Sequence, residues 1–92
     1  MKPLDHISDA ELEKRLNAAK SQIDVNAKYY HYKNPDQHYR IVTIAFIEET
    51  ETPAVVYQAE YGENFTWIRP IDNFLDKFKH NGKMMNRFSK VK

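Results

Sequence analysis

The chain contains no cysteine, so neither a disulfide framework nor a thiolate metal site can be built from it, and a reducing compartment is compatible with it. Gly62 and Gly82 are its only glycines. A glycine-rich phosphate loop is therefore missing, and with it the common mononucleotide folds. No stretch approaches the roughly 20 apolar residues that a membrane span needs, and the opening Met-Lys-Pro-Leu-Asp-His lacks the apolar run of a signal peptide. These gaps point to a cytoplasmic protein with no membrane partner. Net charge is also nearly absent, at +1, which argues against strong nonspecific DNA binding. Each sign of charge is missing locally. Glu48, Glu49, Glu51, Glu60 and Glu63 fall in a segment without Lys or Arg, whereas Lys77, Lys79, Lys83, Arg87, Lys90 and Lys92 follow one another without an acidic residue. Such asymmetry either solvates two faces or orients an anionic partner.

What is present suits one small domain, since 92 residues leave no room for a second. Residues 8–23 read as a helix, with Ser8 as N-cap and Glu11 completing a capping box. Leu12, Leu16, Ala19 and Ile23 form a narrow apolar stripe that can pack on the rest of the chain or on the same helix of a second subunit, giving a homodimer. The division is then a helical extension over 1–27 and a β domain over 28–92. Lys28–Lys33 reads as an aromatic strand ended by the turn Asn34-Pro35-Asp36. Tyr39–Glu48 reads as a strand covered on both sides, because Ile41 and Ile47 alternate with Val42, Ile44 and Phe46.

Val55–Pro70 holds the chain's only Trp and reads as the central hairpin. A three-residue loop at Gly62-Glu63-Asn64 sets Tyr61 opposite Phe65, Ala59 opposite Trp67 and Tyr57 opposite Arg69. In that register Ala59 leaves room for the indole as a core group, and Tyr57 meets the Arg69 guanidinium at a rim. Residues 71–75 read as a helical turn after Pro70, and 76–88 as a hairpin around Asn81-Gly82. Its last strand, Met84–Phe88, is expected to close the sheet, with 89–92 frayed.

For chemistry, His6, His31, His38 and His80 match no common ligand spacing, so no metal or cofactor is expected. Ser8, Ser21 and Ser89 lie at a cap, within the helix and in the tail, and none reads as an activated nucleophile. Glu49 and Glu60 have no partner that would make an acid–base pair. Arg69 and Arg87 remain, and an Arg beside exposed aromatics can clamp an anion or a nucleobase by bidentate hydrogen bonding and stacking. Barrel closure is expected to bring both to one rim beside Tyr32 and Tyr57. Alternatively each pairs with its own carboxylate, Asp72 or Glu60 for Arg69 and Asp76 for Arg87.

The chain resembles a bacterial and phage family known as domain of unknown function 1653. The resemblance rests on Tyr29, His31, Tyr32 and Lys33; Ala45, Glu49 and Thr50; Val55–Gln58; Tyr61 and Gly62; Trp67–Pro70; Phe74; and Arg87 with Phe88. Ile47 replaces a frequent His, Asn34 a preferred Gly and Asn86 a Pro. The resemblance implies a mainly β domain with the N-terminal helix added to it, a small partly open barrel of the Src-homology-3 type with about five strands. It supplies no catalytic residues. The expected function is a noncatalytic binding module that holds single-stranded nucleic acid or a nucleotide-like anion, through His31, Tyr32, Lys33, Tyr57, Gln58, Trp67, Arg69 and Arg87. The same aromatic groove can instead take a protein or peptide partner. A small-molecule enzyme is the least supported class.

Overall fold

A computed structural model describes residues 7–92. Helix α1 spans Asp9–Gln22, and Ser8 caps it by accepting the Glu11 N–H at 3.2 Å. The Glu11 carboxylate pairs with Arg15, one turn on, at 3.5 Å. Ala19 and Ile23 are buried, Leu16 is partly so, and all of them join the core formed by the strands. The apolar seam of α1 therefore lies against its own sheet. Arg15 fastens the same side by donating to the Glu51 carbonyl at 3.0 Å.

Seven strands and a second helical turn follow: β1 (Lys28–His31), β2 (His38–Ile47), β3 (Thr52–Ala59), β4 (Thr66–Pro70), α2 (Ile71–Phe74), β5 (Lys77–His80), β6 (Lys83–Asn86) and β7 (Phe88–Lys90). They form a five-stranded antiparallel sheet in the order β4-β3-β2-β1-β7 and a separate ribbon of β5 and β6. The fold is mainly β with an N-terminal helix, as expected. The sheets do not close on one another, since β4 and β7 are the edges of the larger one. What the sequence suggests as a partly open barrel is an open sheet.

The strand expected to be covered on both sides has a different explanation. Ile41 pairs with Tyr57 but Thr43 pairs with Val56, so Val42 is an extra residue in β2. Such a bulge resets the alternation of side chains. Ile41 and Ile44, which a regular strand would send to opposite faces, are both buried in the one core, while Val42 is exposed. The apparent two-sided pattern is one face interrupted once.

The central hairpin is also corrected. Tyr57 lies opposite Trp67, and Val55 opposite Arg69. The turn is longer than a three-residue loop: Gly62 and Asn64 both adopt φ of 57°. Asn64 donates its N–H to the Tyr61 carbonyl and its side-chain amide to the Ala59 carbonyl, each at 3.1 Å. Ala59 in turn donates to the Phe65 carbonyl at 2.9 Å. Phe65 thus occupies the place expected for Trp67. A displacement by an even number of residues preserves the faces, so Tyr57, Trp67 and Arg69 still share a side. Trp67, on an edge strand, is 52% exposed rather than core.

The turn at 71–75 and the hairpin around Asn81-Gly82 form as read, with φ of 52° and 79° at the two turn residues. The closing strand differs. Met84–Asn86 pairs only within the ribbon, and Phe88–Lys90 reaches β1, setting Phe88 opposite His31. Of the residues expected to fray, Ser89 and Lys90 are thereby held, and Val91 adds a 2.8 Å bond to the Lys28 carbonyl. Lys90 also pairs with Asp24.

Phe74 and Phe88 stack face to face, with centroids 4.2 Å apart and planes 7° from parallel. Tyr29 and Tyr57 meet Phe74 edge-on, each at 5.6 Å. Phe88→Ala is expected to cost about 3–5 kcal/mol of stability, as for a buried aromatic. Trp67→Ala should cost about 1 kcal/mol or less. Chemical denaturation of the two variants compares them directly, and equal losses would contradict this assignment of core and surface.

Candidate functional site: an aromatic cleft around Arg69

Pairing places residues from five strands on the same side. His31 comes from β1, Tyr39 from β2, Tyr57 from β3, Trp67 and Arg69 from β4, and Phe88 from β7; Tyr61 joins from the hairpin loop. Together they line an open cleft of about 240 Å³. Aromatic rings make up most of its wall, and one guanidinium supplies the charge.

Arg69 is held from three directions. Its Nε donates to the Tyr57 hydroxyl at 3.2 Å, its Nη1 donates to Asn73 Oδ1 at 2.6 Å, and its Cζ lies 5.1 Å from the centre of the Phe88 ring. These contacts fix the plane of the group without neutralising it. Among the described residues no carboxylate pairs with Arg69. A guanidinium carries five N–H donors, so a fixed, charged group with donors to spare faces the cleft's contents.

Tyr39 and Tyr61 share a hydrogen bond between their hydroxyls. Burial and that bond push the Tyr39 phenol well above its ordinary value, so it stays protonated. His31 packs edge-on against Phe88 at 5.0 Å, and its Nδ1 accepts the Lys33 N–H at 3.2 Å. A ring accepting at Nδ1 and neutral carries its proton on Nε2. Burial first, then the charges of Arg69, Arg87 and Lys33, pull the imidazole below its ordinary 6.5.

Of the residues expected at a site, His31, Tyr57, Trp67 and Arg69 converge. Gln58 points to the other side of β3, where it accepts from Arg40 and donates to the Asn64 carbonyl, both at 3.2 Å, and so fastens the hairpin. Arg87 does not line the cleft. It pairs with Asp76 at 3.1 Å, as in the alternative raised from the sequence, and its backbone N–H donates to the Asp76 carbonyl at 2.9 Å. Glu60 pairs instead with Lys28, at 3.3 Å. Tyr32 lies beside His31 and meets Phe78 of the ribbon at 4.3 Å with the planes tilted by 51°, and Lys33 Nζ lies 5.9 Å from the Tyr32 ring centre.

Tyr39, Tyr61 and Phe88 line the cleft although sequence reasoning passed over them as site residues. Tyr61 shares the hairpin face of Tyr57, and that alternation was a usable signal. For Tyr39 and Phe88 only the pairing of β2 and β7 with their neighbours reveals it. Among the described residues no three His, Asp or Glu side chains gather as metal ligands, and His6 lies outside those residues. No helix among them is long and apolar enough to cross a membrane.

The lowered His31 value has a definite sign for stability. Between the folded value and 6.5 the unfolded chain binds more protons, so stability is full above 6.5 and is lost as pH falls through the folded value. NMR titration of the His31 ring should give a midpoint below 6.5, and the decline in urea stability across that range should be shallower in His31→Gln. A midpoint at or above 6.5 would remove the electrostatic account of the cleft.

Comparison with known proteins gives a family and no activity. The sequence model of the family described as a protein of unknown function (DUF1653) matches residues 27–90. The crystal structure of a DUF1653 protein from Bordetella bronchiseptica is similar, with a TM-score of 0.62 and 25% identity, over 76% of this chain and 90% of that one. No curated protein matches the chain. The match to the family covers most of the chain, including every residue of the cleft, and the protein belongs to the DUF1653 family of proteins of unknown function.

Proposed function

We propose that the cleft is a noncatalytic binding site for a nucleotide-like anion, either free or within a single-stranded nucleic acid. The observation that carries this reading is Arg69, oriented by Tyr57 and Asn73 and lacking a carboxylate partner among the described residues, beside the half-exposed ring of Trp67. A guanidinium of that kind takes phosphate by charge-assisted hydrogen bonds, and an exposed indole offers a base a stacking surface. The hydroxyls of Tyr39, held protonated, and of Tyr61, bonded to it, add polar contacts. Among the described residues no nucleophile or paired acid and base accompanies them in the cleft, which favours binding over turnover. Residues 28–92 hold every described cleft residue and form the binding unit, with helix α1 (Asp9–Gln22) an extension bracing the sheet.

Trp67 is the only tryptophan, so its fluorescence reports the cleft directly. Titration with nucleotides and short single-stranded oligonucleotides should quench it saturably, more weakly at moderate than at low salt. Arg69→Ala should lower the affinity about tenfold or more. If the wild type fails to bind at low salt, or the variant binds as well, the nucleotide reading falls. A peptide ligand then takes its place, favoured by the exposed Phe65 and Ile68 on and beside the edge strand β4.

A further inference from the structure

We propose that the β5–β6 ribbon extends the cleft into a track for single-stranded nucleic acid, so that the ligand is a polymer rather than a free nucleotide. This rests on the cleft holding one nucleotide-like unit. The ribbon is fixed to the cleft by rings in succession. His31 lies 4.6 Å from Tyr32, Tyr32 lies 4.3 Å from Phe78 and 6.0 Å from His80, and His31 itself lines the cleft. A row of aromatic rings leaving a base-sized cleft is what successive unpaired bases stack upon.

Charge runs along the same row. Lys33 sits over Tyr32, and the ribbon register sets Lys83 opposite His80, on the face that carries Phe78 and Met85. Lys77 and Lys79 lie on the opposite face with Met84. All of these lysines are exposed, and among the described residues none has a carboxylate partner. Asp76, the acidic residue next to the ribbon, is taken by Arg87. The ring-bearing face thus presents aromatic surface and free cations together, the combination that follows a phosphate backbone whatever its sequence. A free mononucleotide would fill the cleft and leave this face unused.

The test compares thymidine monophosphate with an oligothymidylate of about eight nucleotides, both read by Trp67 fluorescence. Wild type should bind the oligomer at least about tenfold more tightly than the monomer. Lys33→Gln with Lys83→Gln should remove most of that gain and lower the salt slope by about 1.4, at roughly 0.7 per phosphate contact on a single strand, with a much smaller change in monomer binding. Lys77→Gln with Lys79→Gln should change either quantity much less. The track is overturned if length adds nothing, if the ring-face pair is without effect, or if the reverse-face pair does as much, which would mean a diffuse field. Equal binding of a polyglutamate of matched charge would overturn it too. If neither monomer nor oligomer binds the wild type, the cleft reading fails first and the track falls with it; monomer binding without a length effect removes the track alone.

Discussion

The face-to-face contact of Phe74 with Phe88 is the constraint on which the rest of the structure depends. These rings join the single turn of α2 to the last strand, and the chain between them holds the whole ribbon. Phe88 reaches Phe74 from a β7 that pairs with β1, so packing and hydrogen bonding agree on the same sheet order. Tyr29, Tyr39 and Tyr57 then arrange themselves edge-on around the stacked pair. Edge-to-face contacts of this kind contribute roughly 0.5–1.5 kcal/mol each beyond the area they bury. In a chain of 92 residues without cysteine, dense aromatic packing stands where small domains elsewhere use disulfides.

The same stack sets the site. Phe88 gives one face to Phe74, and the Arg69 guanidinium lies over its ring. The hydroxyl of Tyr57, a core residue, takes a hydrogen bond from that guanidinium. Arg69 is therefore positioned by the hydrophobic core itself, which spares a ligand much of the entropy of ordering a long side chain. Charge is retained because the acceptors around it, a phenol and an amide, are neutral. The contrast with Arg87 is physical: its carboxylate partner, Asp76, satisfies the charge within the protein.

Local order was largely legible in the sequence. The cap at Ser8, the helical turn after Pro70 and the left-handed pair Asn81-Gly82 each depend on residues within a few positions of one another, and each forms as read. Half of the site was legible for a similar reason. Tyr57, Trp67 and Arg69 share a side in any register displaced by an even number of residues, so the face survived although the partners were misassigned. The bulge at Val42 was not legible, because an unbroken alternation with cover on both sides gives the same apolar pattern as one buried face with an extra residue.

By itself the sequence determined the family, the mainly β composition, the helix with its cap, and an arginine set among aromatics, since all of these follow from residue identity and short-range geometry. Only the tertiary structure decided that the sheet stays open, that Trp67 is surface, that Arg87 is neutralised, and that Tyr39 and Phe88 join the cleft. The reason is one of range. Each of those outcomes depends on which distant strands pair and in what register, and β7 chooses β1 through the packing of Phe88, a contact whose partners are brought together only by the completed fold.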